Sequence, residues 1–306
     1  MSIELRKIWM DGKLVPWKNA QVHVLTHALH YGTAIFEGIR CYNTKKGPAV
    51  FRLADHLARL YRGAKSYHFD IPYSQEQFRK AVLQSINANK VDHCYIRPII
   101  YLGYKSIGLS MRGVPVNVAI IPVKFDHYFN PKNSKRGLHC HISSWHRISV
   151  NMLSPHVKAS ANYMNSVLAK AEAEREGFDE AIMLTDEGHV SEGTGENIFI
   201  ARKGKLITPP FYDSVLGGVT RESLIEVARD LGYVVEEKSI LRDELYTADE
   251  VFMTGTASEV NFVSKIDDIT IGNGKKGKIT AVLQEKFHDI VSGNDPKYKK
   301  WLEFVR

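Results

Sequence analysis

Apolar residues recur with two different spacings along the chain, and the spacing separates predicted helices from predicted strands. Over 53–67 they return every three or four positions, from Leu53 to Ala64, which predicts an amphipathic helix. Ser74 predicts the start of a second helix, because Glu76 follows in the first turn and apolar residues then recur at helical spacing. Further helices are predicted over 162–176, 220–231 and 280–291.

The predicted strands are short, and several are paired through glycine turns such as Asp11-Gly12. The predicted hairpins are 7–10 with 13–16, 180–185 with 189–191, and 197–202 with 206–208. The other predicted strands are 49–52, 94–104, 116–124, 138–145 and 250–254. Strand runs with helices between them indicate the α/β (mixed α+β) class.

A chain of 306 residues exceeds the size at which a single hydrophobic core stops growing, so two domains are predicted. Residues 125–137 are rich in Asn, Pro, Lys, Ser and Gly and show little periodicity, which predicts a linker. The linker separates a small N-terminal domain over 1–124 from a larger C-terminal domain over 138–306.

The composition is that of an ordinary globular protein, with 44% hydrophobic and 25% charged residues. No apolar run approaches the roughly 20 residues that cross a bilayer, and the first residues lack the apolar core of a signal peptide. The three cysteines lack metal-type spacing, and Cys140 faces away from His139 and His141 in an alternating strand. These features predict a cytoplasmic protein with reduced thiols and no metal site. The net charge of +7 is scattered rather than striped, which argues against nucleic-acid binding and suits small anionic substrates.

Lys158 is the most informative residue for chemistry. Small residues follow it, Tyr163 comes five positions later, and Glu192 and Glu196 lie in a glycine-rich bend downstream. A lysine amine, a phenol and a carboxylate in this order indicate a site for pyridoxal phosphate, because the amine can form a Schiff base with the aldehyde. A carboxylate beside the ring nitrogen raises the pKa of that nitrogen by about 1–3 units, so the ring stays protonated. An exposed turn with two acidic residues is the alternative interpretation of the bend.

Two segments predict sites for a phosphate group. Gly217-Gly218-Val219-Thr220 places backbone N–H groups and a hydroxyl at the start of a helix that Thr220 is expected to cap. Thr254-Gly255-Thr256-Ala257-Ser258 places a similar set after a strand. Arg59 is a candidate bidentate phosphate ligand, although a surface pair with Asp55 one turn earlier is the alternative.

A third set is predicted to line the substrate side. Tyr95 and Arg97 alternate with Cys94 and Ile96 in a strand, so they share a face and can hold a carboxylate together. On spacing alone a strand-surface pair is favoured for them. The rest of this set is Tyr31, Phe36, Gly38 and Arg40.

Together these segments resemble the branched-chain amino acid aminotransferase family of fold-type IV pyridoxal-phosphate enzymes, nearly end to end. The matching segments are His27-Ala28-Leu29-His30-Tyr31-Gly32, Phe36-Glu37-Gly38-Ile39-Arg40, Phe51 to Leu60, Tyr95-Ile96-Arg97-Pro98, Lys158 to Tyr163, Ser191 to Asn197, Gly218-Val219-Thr220-Arg221 and Val251 to Ala257. The resemblance implies a small N-terminal α/β domain and a larger C-terminal domain with a barrel-like sheet.

The resemblance also implies a role for each site residue. Lys158 is implied as the Schiff-base lysine and general base, Glu192 as the partner of the ring nitrogen, and Tyr163 as the partner of the ring's phenolic oxygen. The implied phosphate ligands are Arg59, Val219, Thr220 and Thr256. The implied substrate side comprises Tyr31, Phe36, Gly38, Arg40, Tyr95, Arg97, Tyr128, Thr256 and Ala257.

The function implied by the resemblance is transamination between L-leucine, L-isoleucine or L-valine and 2-oxoglutarate, with pyridoxal 5′-phosphate as cofactor and ping-pong kinetics. A D-amino acid aminotransferase and a 4-amino-4-deoxychorismate lyase share Lys158, Glu192 and the phosphate site and stay as alternatives. A non-catalytic anion-binding homologue and a cofactor-free Schiff-base lyase are alternatives from other classes. The family implies a homodimer or homohexamer whose partners are amino acids and 2-oxo acids, with no nucleic acid and no membrane.

Overall fold

The computed structural model of the protein describes residues 3–125, 128–129 and 133–306, with the backbone alone at 133 and 134. Residues 126, 127 and 130–132 of the predicted linker lie outside the described residues. No helix in the described part of the chain is both long and apolar enough to span a bilayer.

The chain forms two compact units. The first contains Met1–Asp126, Val157–Ala161 and Ile290–Arg306, and the second contains His127–His156 and Asn162–Asp289. Lys158 therefore belongs to the first unit, although it follows the predicted linker by more than twenty residues. The domain boundaries predicted from composition, at 124 and 138, stay a prediction.

Strands and helices alternate along both units. The strands are β1 Lys7–Met10, β2 Lys13–Pro16, β3 Ala34–Phe36, β4 Ile39–Thr44, β5 Gly47–Phe51, β6 Cys94–Leu102, β7 Val116–Val123, β8 Leu138–Ile142, β9 Glu180–Leu184, β10 Val190–Gly193, β11 Asn197–Arg202, β12 Lys205–Thr208, β13 Val235–Glu237, β14 Glu250–Gly255, β15 Glu259–Ile266, β16 Ile269–Thr270 and β17 Leu302–Phe304. The α-helices are α1 His27–Tyr31, α2 Leu53–Ser66, α3 Gln75–Asn89, α4 Asn133–Arg136, α5 Tyr163–Arg175, α6 Val219–Asp230, α7 Arg242–Tyr246 and α8 Lys278–Val291.

The sheet of the first unit is antiparallel, in the order β17-β5-β4-β6-β7-β1-β2, with β3 paired to β6. Helices α2 and α3 bury their apolar residues in one core with the inner face of this sheet. Ser74 caps α3 as predicted: its hydroxyl accepts the Gln77 N–H, and the Gln77 side chain accepts the Ser74 N–H.

The sheet of the second unit is mixed and curls into a half-barrel, in the order β10-β9-β8-β15-β14-β11-β12-β13. Strand β8 is parallel to both of its neighbours, whereas β9–β10, β11–β12, β11–β14 and β14–β15 are antiparallel. The fold class predicted from the sequence, mixed α and β with a barrel-like second sheet, is confirmed.

One local prediction was wrong, and several short elements were not predicted. Helix α6 begins at Val219 with Gly218 as its N-cap, so Thr220 lies in the first turn rather than at the cap. Strand β15 was not predicted, because the polar Ser264 stands where the alternation begun by Val260 and Phe262 would place an apolar residue. It nevertheless lies inside the sheet, hydrogen-bonded to β8 and β14, so its pairing partners rather than its own pattern make it a strand.

Candidate active site

An aromatic and cationic face lies on β6 and the segment before β4. Arg97 donates a hydrogen bond to the Tyr95 hydroxyl at 3.0 Å, which confirms that the two side chains share a face of the strand. The Arg97 guanidinium lies 4.6 Å from the centre of the Phe36 ring. Its Nε is buried and has no hydrogen-bond partner among the described residues. A cation held against aromatic rings with donor capacity to spare is suited to a carboxylate.

Gly38 and Arg40 complete this face. A Cβ atom at Gly38 would lie 2.1 Å from the Tyr95 hydroxyl, so only glycine leaves room for the phenol. Arg40 is paired with Tyr95 in the β4–β6 register, and its guanidinium lies 5.4 Å from the centre of the Phe125 ring. Five of the predicted substrate-side residues are thus brought together in the first unit.

Lys158 is fixed to the same unit through its backbone. Its carbonyl accepts the Phe36 N–H at 3.0 Å, and the next residue, Ala159, forms a bridge with Ile35. The preceding Val157 is buried in the first core. The Lys158 Nζ lies 5.3 Å from the centre of the Phe36 ring, so Phe36 contacts both the lysine amine and the Arg97 guanidinium.

Arg59 is buried rather than placed at the surface beside Asp55, and Asp55 is bound by Arg52 instead. The Arg59 Nε and Nη2 atoms donate to the two oxygens of Glu37 at 2.6 and 2.8 Å. His56, one turn earlier on α2, contacts the same carboxylate at 2.8 Å. Arg59 is therefore held in one orientation by a fully buried acid.

The charges of the buried cluster of Glu37, His56 and Arg59 depend on the contacts among these three side chains. Burial tends to raise the pKa of Glu37, yet the adjacent Arg59 charge and the hydrogen bonds outweigh it and hold that pKa well below its ordinary value. Burial lowers the pKa of His56, against the attraction of Glu37. Sequence reasoning missed Glu37 and His56, although the spacing of His56 and Arg59 along the inward face of α2 is a usable signal.

Glu192 is the centre of a buried polar cluster in the second unit. It is buried in β10, next to an irregularity in the β9–β10 register. Its Oε1 forms an ion pair with Arg147 at 2.8 Å, and its Oε2 accepts from Asn197 Nδ2 at 2.9 Å and from the Leu216 N–H at 3.1 Å. A cation and two N–H donors stabilise the ionised carboxylate.

Arg147 and Asn197 are functional candidates that sequence reasoning missed. Asn197 stands at the end of the 191–197 bend, so its position next to Glu192 could have been read from the sequence. Arg147 lies in a segment without any pattern, and only the tertiary fold brings it to Glu192. Arg147 is itself buried, 6% exposed, and also reaches the Ser214 carbonyl at 3.4 Å.

The two predicted phosphate segments meet at Asn197. On the side of the first segment, its amide donates to the Leu216 carbonyl at 2.9 Å. A Cβ atom at Gly218 would lie 1.9 Å from its Oδ1. On the side of the second segment, it is paired with Thr254 in the β11–β14 register. Gly218 must therefore be glycine to bring the start of α6 so close. The first turn of α6 directs backbone N–H groups outward, which is the usual anion-binding arrangement.

Hydroxyl groups line the end of β14 and the turn after it. The Oγ1 of Thr254 and the Oγ of Ser258 are buried and lack a hydrogen-bond partner among the described residues. Thr256 and Ala257 lie between them and are half-buried. Unsatisfied buried hydroxyls are costly, so this turn fits a ligand rich in acceptor oxygens, such as a phosphate.

The other predicted residues lie as follows. Tyr163 is the first residue of α5 and is half-buried. Tyr31 ends α1, where its hydroxyl accepts the Gly108 N–H at 3.2 Å. Tyr128 is exposed, packs edge-on against Phe129, and its hydroxyl lies 3.5 Å from the position of a Cβ at Gly195.

Comparison with known proteins decides the family. The family model described as amino-transferase class IV matches residues 34–266, which include Lys158, Glu192 and the turn after β14. The chain belongs to the class IV aminotransferases. This membership confirms the predicted family and its enzymatic class.

Among similar curated proteins, this class IV aminotransferase is 40% identical to the branched-chain-amino-acid aminotransferase of Escherichia coli K12 over 299 residues, which cover 97% of each chain. The solved Escherichia coli branched-chain amino acid aminotransferase superposes with a TM-score of 0.97 at 40% identity, over 99% of this chain and 100% of that one. The T.th. branched-chain amino acid aminotransferase complexed with N-(5′-phosphopyridoxyl)-L-glutamate superposes with a TM-score of 0.95 at 42% identity, again over 99% of this chain and 100% of that one.

Proposed function

We propose that this class IV aminotransferase transfers amino groups between L-leucine, L-isoleucine or L-valine and 2-oxoglutarate. The observation that carries the proposal is the Phe36 ring, which contacts both the Lys158 amine and the Arg97 guanidinium. One surface thus offers an apolar wall for a branched side chain and a cation for a carboxylate. The branched-chain aminotransferases that it resembles support this choice of substrates.

The cofactor is pyridoxal 5′-phosphate, and the residues present fit it. Glu192, paired with Arg147, suits a ring nitrogen. The buried, unsatisfied hydroxyls of Thr254 and Ser258 suit a phosphate, and the Lys158 amine suits an aldehyde. We propose that Arg59, Val219, Thr220 and Thr256 hold the phosphate and that Tyr163 binds the ring's phenolic oxygen. When bound, the cofactor supplies an aldehyde that takes up the amino group and a ring that withdraws electrons.

The protein's own groups then carry out binding and proton transfer. The Lys158 amine takes the proton from the substrate Cα and returns a proton to complete the transfer. Glu192, kept ionised by Arg147 and Asn197, holds the proton on the ring nitrogen. Arg97 and Tyr95 bind the side-chain carboxylate of glutamate, and Phe36 packs against the apolar side chain of leucine.

Tyr31, Arg40, Tyr128 and Ala257 complete the proposed substrate side, and Gly38 makes room for Tyr95 in it. We also propose a homodimer or homohexamer, which light scattering on the purified protein measures, and a cytoplasmic location. The three buried free thiols of Cys41, Cys94 and Cys140 suit a reducing compartment.

The test of the substrates is spectroscopic. Adding L-leucine alone to the holoenzyme is expected to bleach or shift the visible absorption band of the cofactor, and 2-oxoglutarate is expected to restore it. D-Alanine and 4-amino-4-deoxychorismate are added in parallel experiments, as the test substrates of the two alternative class IV activities. A band that stays unchanged with L-leucine but responds to one of these two would contradict the proposal.

A further inference from the structure

Glu196 is the second acid of the 191–197 bend, and the proposed reaction leaves it without a role. It lies between β10 and β11 and is only 3% exposed. Its Oε2 accepts the Gly195 N–H at 3.1 Å, and its carbonyl accepts the Gly193 N–H at 2.7 Å. Within the described part of the chain, no basic side chain forms an ion pair with it. A buried carboxylate with one backbone donor is poorly compensated as an anion.

The cation that acts on Glu196 is already bound to another acid. Lys170 donates to Glu180 Oε2 at 2.9 Å. Glu180 is fully buried, and it also accepts the Thr194 hydroxyl at 2.6 Å and the Ala181 N–H at 2.9 Å. Glu180 has the cation and the donors that a buried anion requires. Glu196 has neither a second donor nor a cation of its own among the residues that the structure describes.

The groups that face Glu196 favour its uncharged form. Burial raises the pKa of Glu196 well above its ordinary value, and the Glu180 and Glu192 carboxylates add to this against the Gly195 N–H and Lys170. From β8 the buried Cys140 faces the same group, and burial raises the pKa of its thiol, so it contributes no charge.

The Glu196 side chain lies near two glycines that end strands, Gly193 of β10 and Gly255 of β14. A Cβ at Gly193 would lie 3.2 Å from the Glu196 Oε2, and a Cβ at Gly255 would lie 3.7 Å from its Cγ. Gly193 directly follows Glu192, and Gly255 directly precedes Thr256. The side chain therefore lies next to both glycines, where a side chain at either position would meet it, and both glycines adjoin proposed cofactor ligands.

We propose that Glu196 is a positioning residue which, as an uncharged carboxylic acid, holds the end of β10, which carries Glu192, against the turn after β14, which carries Thr256. In this form it supports both segments without adding a negative charge to those of Glu180 and Glu192. The inference rests on the proposed function only for the cofactor-binding roles of Glu192 and Thr256.

The first test compares Glu196→Gln with Glu196→Ala in the holoenzyme, with Glu187→Gln at the exposed turn between β9 and β10 as the matched control. Glutamine reproduces the shape and charge of the uncharged acid. We expect E196Q and E187Q to keep cofactor affinity and kcat within about threefold of the wild type, and E196A to lose on the order of 10- to 100-fold, because small displacements of binding groups are costly. A loss in E196Q as large as in E196A would overturn the proposal, and E196Q alone decides if E196A does not fold.

The second test follows thermal unfolding of the same proteins across about pH 4 to 9. A group whose pKa is raised in the folded state stabilises fully below its unfolded pKa, about 4.3, and this contribution is lost as the pH rises towards the folded value. The midpoint of the wild type is therefore expected to fall relative to E196Q as the pH rises, whereas E187Q follows the wild type. A difference that stays constant, or that changes in the opposite direction, would show a charged Glu196 and refute the proposal.

The infrared band of a protonated carboxyl group provides a direct check. At neutral pH the wild type is expected to show this band and E196Q to lack it. Neither this readout nor the unfolding midpoint requires a substrate, so a failure here leaves the proposed transamination untouched. Conversely, if L-leucine gave no spectral response, the proposed substrates would be wrong, and the protonation of Glu196 would still be tested by these two readouts.

Discussion

At the scale of single residues, the proposed specificity depends on a few side chains that contact one aromatic ring. Tyr95 and Arg97 lie on one face because they are two positions apart in β6, and Phe36 from β3 packs under the guanidinium. Alternation along a strand is a local property, so this pair could be predicted from the sequence. The contact of Phe36 with both Arg97 and Lys158 joins three separate segments and could not.

Arg97→Ala is expected to impair the reaction with glutamate more than the reaction with leucine. Loss of a charge-assisted hydrogen bond costs about 1.5–3 kcal/mol, which corresponds to roughly 10- to 100-fold in kcat/KM. Leucine carries no side-chain carboxylate and should lose far less. Steady-state kinetics with both donors measure the ratio, with Arg112→Ala in an exposed loop as the control. Equal losses for the two donors would refute a glutamate-specific role.

Gly38→Ala is expected to displace Tyr95, because the new Cβ would lie 2.1 Å from the Tyr95 hydroxyl and 2.9 Å from the Cζ atom. Removing the hydroxyl with Tyr95→Phe relieves the shorter of these contacts. The G38A substitution should therefore raise the KM for glutamate more in the wild type than in the Y95F variant. A double-mutant cycle measures this coupling, and additive effects would show that the contact does not act on substrate binding.

At the scale of elements, helix α2 is joined to the segment before β4 by a buried ion pair. His56 and Arg59 stand one turn apart on α2, and both contact Glu37. The amphipathic pattern predicted the helix itself, because apolar spacing depends on neighbouring positions. Its polar contact was missed, since Glu37 lies about twenty positions away and only packing brings the two together.

Glu37→Gln is expected to destabilise the protein by about 3–5 kcal/mol at neutral pH, because it leaves the buried Arg59 without its counter-charge. The pKa of Glu37 is lowered by folding, so its stabilisation is present above the unfolded pKa, about 4.3, and declines as the pH falls below that value. Urea unfolding at about pH 7 and pH 3 should therefore give a smaller difference from wild type at the lower pH.

The matched control for this prediction is Glu76→Gln. Glu76 forms a comparable ion pair with Arg79, at 2.7 Å, but on the exposed surface of α3. Its removal should change the stability little at either pH, because solvent screens such pairs. If E37Q behaved like E76Q, the buried pair would not stabilise the junction between α2 and the strand segment.

At the scale of the whole molecule, the chain departs from a simple order of domains. Residues 157–161, which include Lys158, belong to the first unit, and the C-terminal residues from Ile290 onward return to it, where β17 pairs with β5. Composition along the chain indicated two parts and a linker but carried no signal for these returns. A three-residue strand such as β17 is defined by its partner and not by its own pattern.

Cofactor removal is expected to lower the thermal stability of the protein as a whole. A ligand that binds only the folded state stabilises it by RT ln(1 + [L]/Kd), which is about 2.7 kcal/mol at 100 times Kd. The unfolding midpoint of the stripped protein should therefore rise steadily as pyridoxal 5′-phosphate is added. Pyridoxal without the phosphate should raise the unfolding midpoint much less. A midpoint that stays unchanged with either compound would contradict the proposed cofactor site.

The sequence by itself determined the family, the alternation of helices and strands, and most of the residues proposed to touch cofactor and substrate. These follow from short-range patterns and from motifs whose members are neighbours in the chain. Only the tertiary structure decided which partners hold those residues: Glu37 and His56 beside Arg59, Arg147 beside Glu192, and Lys170 with Glu180 instead of Glu196. The physical reason is that burial and charge pairing depend on atoms that distant segments bring into one place, and a buried acid keeps or loses its proton according to those neighbours.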